Sequence, residues 1–186
     1  PLALTMTGHA EVAYALATQT TKPSWGYMIA NDATTLWEFW SGGNGISHNH
    51  PFLGSISEWF YRTLAGIDID PEGPGYEKII IKPYVLGDLT WAKASVKTIR
   101  GLVVSDWKKQ GDILTLKVII PANSTAEVYV PKLGMKNVVV KEGGKIVWHN
   151  VAQVKGVPGI TAGTENNDYI TFDVGSGLYH FVLNGI

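Results

Sequence analysis

The stretch Asp112-Ile113-Leu114-Thr115-Leu116-Lys117-Val118-Ile119-Ile120-Pro121 decides the fold. Leu114, Leu116, Val118 and Ile120 occupy every second position, so an extended chain puts all four on one face. Gln110-Gly111-Asp112 before it and Pro121-Ala122-Asn123 after it carry turn chemistry. The same period recurs on both sides. In Thr90-Trp91-Ala92-Lys93-Ala94-Ser95-Val96-Lys97 the alanines and Val96 share one face and the lysines the other. Ala126, Val128 and Val130 alternate likewise, as do Ile170, Phe172 and Val174. Residues 78–82, 101–107, 138–140, 146–148 and 178–183 are further candidate strands, with Gly143-Gly144 and Gly175-Ser176-Gly177 as turns. Pro83, Pro121 and Pro131 stand at strand ends, where a missing N–H costs little. About nine short strands punctuated in this way predict an antiparallel sandwich or barrel over residues 69–186.

Residues 1–68 read differently. Residues 8–20 are rich in alanine, and Val12 with Leu16 and Ala13 with Ala17 stack at i, i+4. Thr7 is the expected N-cap, with Glu11 near the positive end of the helix. Residues 52–65 place Leu53, Ile56, Phe60 and Leu64 on one stripe, and Gly66 can close that helix. Between the two lies an aromatic, glycine-rich stretch, residues 23–51, with no clear period. Long irregular segments are functional or disordered, and the aromatics here argue against disorder. The expected class is therefore an α+β two-part chain, helical over 1–68 and β over 69–186.

Charge follows the same division. Residues 1–68 hold two basic and five acidic residues, whereas 69–186 hold thirteen and eleven. Four of the seven tryptophans also lie in the first part. A segment that apolar is suited to burial against something else, either the second part or a further piece of protein. The formal net charge of −1 argues against nucleic acid or an anionic membrane as a partner held by bulk charge. No apolar run reaches the length of a membrane span. Without cysteine, disulfides, Cys-ligated metals and thiol catalysis are excluded, and the sequence marks no compartment.

Glu38 is the sharpest candidate. It sits in Trp37-Glu38-Phe39-Trp40, where aromatic neighbours would strip water from a carboxylate and suit it to proton transfer. Aromatic faces beside carboxylates also suit sugars. The plainer reading is a glutamate on a loop that happens to be aromatic. His48 and His50 flank Asn49; an extended chain would put both rings on one side, as a metal pair, a sugar contact or a loop tether. The few nearby carboxylates and the absence of a zincin spacing favour no metal, and no cofactor signature occurs. Asp68-Ile69-Asp70-Pro71-Glu72-Gly73 opens like a calcium loop, but the twelfth position is Ile79 where glutamate is needed. It reads as an interdomain turn.

Several stretches together resemble bacterial α-L-rhamnosidases. They are Thr20-Thr21-Lys22-Pro23-Ser24-Trp25-Gly26-Tyr27-Met28-Ile29, Ala33-Thr34-Thr35-Leu36-Trp37-Glu38, Ser47-His48-Asn49-His50 and Gly54 through Gly66. Their order and spacing are similar to the end of that family's helical catalytic domain. Pro74-Gly75-Tyr76-Glu77-Lys78-Ile79 through Pro121-Ala122-Asn123-Ser124-Thr125-Ala126 resembles its C-terminal β-sandwich.

The resemblance implies the end of an (α/α)6 catalytic barrel followed by a β-sandwich accessory domain. It also implies inverting hydrolysis of terminal α-L-rhamnosides, in which one carboxyl protonates the leaving oxygen and another, about 6.5–9.5 Å away, activates water. Glu38 then corresponds to the general base, His50 to a sugar-contacting residue, and Trp37 and Trp40 to walls of the pocket. The family's general acid lies in an upstream motif with no counterpart in this chain. The stretch from Glu38 to His50 is short for the family, and His48 stands where an aromatic residue is common. The expectation is a C-terminal fragment that carries the base without the acid and does not turn over substrate alone. Its partners would be a rhamnose-containing glycan and either the missing N-terminal part of the catalytic domain or a second copy. The alternative is a binding module, with Trp91, Trp107 and Trp148 as contacts unless they pack inside the sandwich.

Overall fold

A computed structural model describes residues 1–185. The chain forms two compact units, Pro1–Phe60 and Tyr61–Ile186.

In the first unit, helix α1 spans Leu2–Met6, α2 spans Ala10–Thr18 and α3 spans Trp25–Ala30. Thr7 does not cap α2: its hydroxyl donates back to the carbonyls of Ala3 and Leu4, finishing α1. His9 takes the N-cap position without a side-chain bond, and Glu11 lies in the first turn. Ala13 is the residue of α2 that is fully buried. Helix α3 falls inside the stretch expected to be irregular. Ser24 starts it by accepting the Tyr27 N–H at 2.9 Å.

The helix expected over 52–65 forms in three pieces, a 3-10 turn Phe52–Ser55, helix α4 over Ile56–Trp59 and a π-helical turn Phe60–Leu64. The division between the two units falls within it. Leu53, Ile56, Trp59 and Thr63 are buried, whereas Phe60, expected on the buried stripe, is exposed. Ile56, Trp59 and Thr63 stand at i, i+3 and i+7, so the buried stripe lies beside the one expected through Phe60 and Leu64. Trp59 Nε1 donates to the Thr5 hydroxyl at 2.8 Å, tying α4 to α1.

In the second unit the π-helical turn ends at Gly66, whose φ of +79° is a left-handed closure. A Cβ at Gly66 would lie 2.2 Å from the Pro83 nitrogen, so the close approach demands glycine as well. The strands are β1 (Ile67–Ile69), β2 (Lys78–Ile81), β3 (Trp91–Thr98), β4 (Gly101–Gln110), β5 (Ile113–Ile120) and β6 (Thr125–Pro131), then β7 (Val138–Glu142), β8 (Lys145–His149), β9 (Ala152–Gln153), β10 (Ile160–Glu165), β11 (Tyr169–Val174) and β12 (Gly177–Gly185). The segment read as an interdomain turn begins as β1, and its turn follows at Asp70, where Gly73 N–H donates to the Asp70 carbonyl at 2.9 Å.

Two sheets result, ordered β1-β2-β6-β11-β10 and β3-β4-β5-β12-β7-β8-β9. All pairings are antiparallel except β2 with β6, which run parallel. The inner faces close on one core. Phe172 of β11 and Phe181 of β12 stack at 5.3 Å, with Trp148 edge-on to Phe172. This is the expected β-sandwich. Trp107 is 0 % exposed and Trp148 is also buried, so both belong to its core, whereas Trp91 is 63 % exposed.

Candidate active-site loop and family membership

The four candidate residues lie on one loop of the helical unit. Two facing segments, Leu36 to Glu38 and Ser47 to His50, are cross-linked by backbone hydrogen bonds. Glu38 N–H donates to the Ser47 carbonyl and His50 N–H to the Leu36 carbonyl, both at 2.9 Å. The Thr35 hydroxyl donates to the His48 carbonyl. These bonds fix the base of the glycine-rich turn between the segments and hold Glu38 and His50 on adjacent backbones.

Each side chain then has its own setting. The Glu38 carboxylate accepts the Ser47 N–H through Oε2 at 3.1 Å, so both its main chain and its side chain are anchored to one residue. Its second oxygen has no hydrogen-bond partner among the described residues. His50 accepts the Phe52 N–H at Nδ1, which leaves Nε2 to carry the ring proton in the neutral form. Trp37 is 8 % exposed and packs with Met28 and Leu53. Its ring lies against His48, 5.6 Å between centroids, and directly under Gly42, where a Cβ would come within 2.5 Å. Trp40 packs against the same cluster, edge-on to Trp25 at 4.9 Å. His48 Nε2 lies 3.0 Å from the Gly43 carbonyl, and so tethers the loop.

Trp37 and Trp40 thus belong to the small apolar cluster of this unit, whereas Glu38 and His50 are held by hydrogen bonds within the loop. The anchor itself, Ser47, acts through its main chain, and no side-chain pattern in the sequence marks such a donor. A cavity of about 760 Å³ also opens in this unit, on a different set of residues that includes Trp25, Met28, Ile29, Leu36, Ile56 and Phe60. Its lining is mostly apolar, with several threonines, and Ile29 beside it is 72 % exposed.

Residues 2–64 match the bacterial alpha-L-rhamnosidase 6 hairpin glycosidase domain, and residues 66–145 match the bacterial alpha-L-rhamnosidase C-terminal domain. The chain belongs to the bacterial α-L-rhamnosidase family and corresponds to its C-terminal part. Among curated relatives, an alpha-L-rhamnosidase of Streptomyces avermitilis is 40 % identical over 137 residues, which are 69 % of this chain and 13 % of the relative. One from Formosa agariphila is 39 % identical over 134 residues, covering 67 % of this chain and 14 % of its own. The chain therefore spans about a seventh of the length of these relatives. The structure of an alpha-L-rhamnosidase from Dictyoglumus thermophilum superposes with a TM-score of 0.85 at 42 % identity, covering 97 % of this chain and 19 % of the other. The Streptomyces avermitilis alpha-L-rhamnosidase complexed with L-rhamnose superposes with a TM-score of 0.75 at 33 % identity, covering 96 % and 16 %. The helical unit and the sandwich are thus those of this glycosidase family.

Proposed function

We propose that this chain supplies the closing part of a rhamnosidase catalytic domain, with its sandwich as an accessory domain, and acts on terminal α-L-rhamnosides with inversion. Glu38 is the general base. Its anchored Oε2 fixes the carboxylate, and its second oxygen takes a proton from the water that attacks the anomeric carbon. His50 contacts a sugar hydroxyl through Nε2–H, and Trp37 and Trp40 hold that wall of the pocket in place. The general acid comes from residues outside this chain, which alone is not expected to turn over substrate. The single observation that carries the reading is the Glu38 carboxylate, held by the Ser47 N–H on a doubly tied loop with one oxygen unpartnered. The apolar cavity supports the same reading, because it offers a face for the rest of the barrel.

The test is a chimera in which this chain replaces the matched segment of the Dictyoglumus thermophilum enzyme. Release of an aryl α-L-rhamnoside is expected from the chimera and not from the isolated chain. Glu38→Gln in the chimera is expected to lower kcat by about 10²–10⁴-fold, the range of general acid–base catalysis. A chimera that keeps its kcat with Gln at this position would remove Glu38 from the mechanism.

A further inference from the structure

The outer face of the seven-stranded sheet segregates charge that the chain-wide balance conceals. Strand register carries Trp91 opposite Lys108, Lys108 opposite Thr115, Thr115 opposite Val182 and Val182 opposite Lys141. The adjacent row runs Lys93, Asp106, Lys117 and His180. The alternate positions of these strands, Trp107, Leu116, Phe181 and Val140 among them, are in the core, so both rows face outward. Four lysines thus share two neighbouring rows with one carboxylate, Asp106, which is already paired with Lys93 at 3.2 Å. Lys108, Lys117 and Lys141 have no carboxylate partner among the described residues. Cross-strand diagonal neighbours such as Lys108 and Lys117 stand about 7–8 Å apart. The chain as a whole carries a formal charge of −1, so this concentration of cations is local.

We infer that this face binds a carboxylate-bearing polysaccharide, a polymer containing uronic acid, outside the catalytic pocket. The unpaired ammonium groups meet carboxylates spaced along the polymer, and Trp91 at the end of the first row offers its exposed ring to a sugar C–H face. All four cations are lysines. Each acts as a separate point charge, which suits singly charged groups spaced along a polymer. Together the two rows cross β3, β4, β5, β12 and β7, a span that suits an extended polymer. The choice of a saccharide among polyanions rests on the glycosidase reading above. The experiment reads binding alone, so its failure leaves turnover at Glu38 untouched, and loss of that turnover leaves binding untouched.

The test is affinity electrophoresis of the 186-residue chain in gels containing polygalacturonic acid, dextran sulfate or neutral dextran. Single-stranded DNA and phosphatidylserine vesicles are the competing probes, measured by the quenching of tryptophan emission. Retardation by polygalacturonic acid is expected, with none in neutral dextran and a weakening as NaCl rises. Trp91→Ala and the double change Lys108→Gln/Lys117→Gln are each expected to weaken it about tenfold. Circular dichroism and melting of these surface variants should match the parent. Unchanged mobility in polygalacturonic acid overturns the proposal. So does retardation that the lysine variant leaves intact, or tighter binding to dextran sulfate, DNA or vesicles.

Discussion

Trp107 and Ser105 are two positions apart on β4, both fully buried, and they hold consecutive carbonyls at the end of the π-helical turn. Trp107 Nε1 donates to the Leu64 carbonyl at 2.7 Å, and the Ser105 hydroxyl donates to the Ala65 carbonyl at 2.6 Å. Trp107→Phe leaves the Leu64 carbonyl without its donor, at a cost of about 1–3 kcal/mol. The three ring atoms removed from a site with no exposure add about 1 kcal/mol of lost packing. The expected destabilisation is therefore about 2–4 kcal/mol. At ~3–5 °C per kcal/mol for a unit of this size, that lowers the melting temperature by about 6–20 °C. Ser105→Ala removes one hydroxyl bond and is expected to cost about 1–2 kcal/mol. Because the two bonds restrain consecutive peptides of one turn, the double variant is expected to lose at least ~0.5 kcal/mol less than the sum of the singles. Urea unfolding followed by circular dichroism measures all three, with the slope in denaturant reporting whether the unfolded state has changed. A Trp107→Phe variant within about 0.5 kcal/mol of the parent, or a strictly additive double variant, would refute this account of how the turn is held.

Two further expectations concern the same unit. Gly66→Ala puts a Cβ 2.2–2.3 Å from the backbone at Lys82 and Pro83 in a left-handed conformation, and is expected to cost about 3–5 kcal/mol, read as a melting temperature at least ~10 °C lower; parent-like melting would show that the backbone accommodates it. Burial pushes the Tyr169 and Tyr129 phenols well above their usual range, and the hydrogen bond from Tyr129 to Glu127 adds to its shift. A phenol whose native pKa exceeds the unfolded value of about 10 contributes stability that is intact below that pH and lost as pH rises toward the native value. Denaturant midpoints are thus expected to fall between about pH 10 and pH 11, and the fall should be shallower in Tyr129→Phe/Tyr169→Phe; an equal fall in that variant would assign it to other groups.

Much of the sandwich was legible because its strands each bury one face. All nine candidate strands form, since a period of two needs no partner to be recognised. β9 has two residues and β10 reads Ile160-Thr161-Ala162-Gly163-Thr164-Glu165, where alternation is too weak to register. Ile67-Asp68-Ile69 does alternate, but the acidic residues after it pointed to a turn. Helix α3 was hidden by Gly26 and by the aromatic residues around it. The buried stripe runs through Ile56, Trp59 and Thr63 rather than through Phe60, and both sets fit a helical period, so the period alone does not choose between them. The parallel pairing of β2 with β6 joins segments more than forty residues apart and leaves no local trace.

The loop divides in the same way. Glu38 and His50 stood out by their residue types and by their resemblance to a family. The Ser47 anchor did not, because it is a main-chain donor. The sequence by itself determined a helical segment, a β-sandwich and the family to which both belong, since these rest on periodicity and ordered motifs carried within short stretches. Tertiary structure alone decided which groups meet. It buried Trp107 and Trp148 and left Trp91 at the surface, tied Glu38 to Ser47, and brought lysines from β3, β4, β5 and β7 onto one face. Hydrogen-bond register and packing join residues far apart along the chain, and only the folded backbone specifies them.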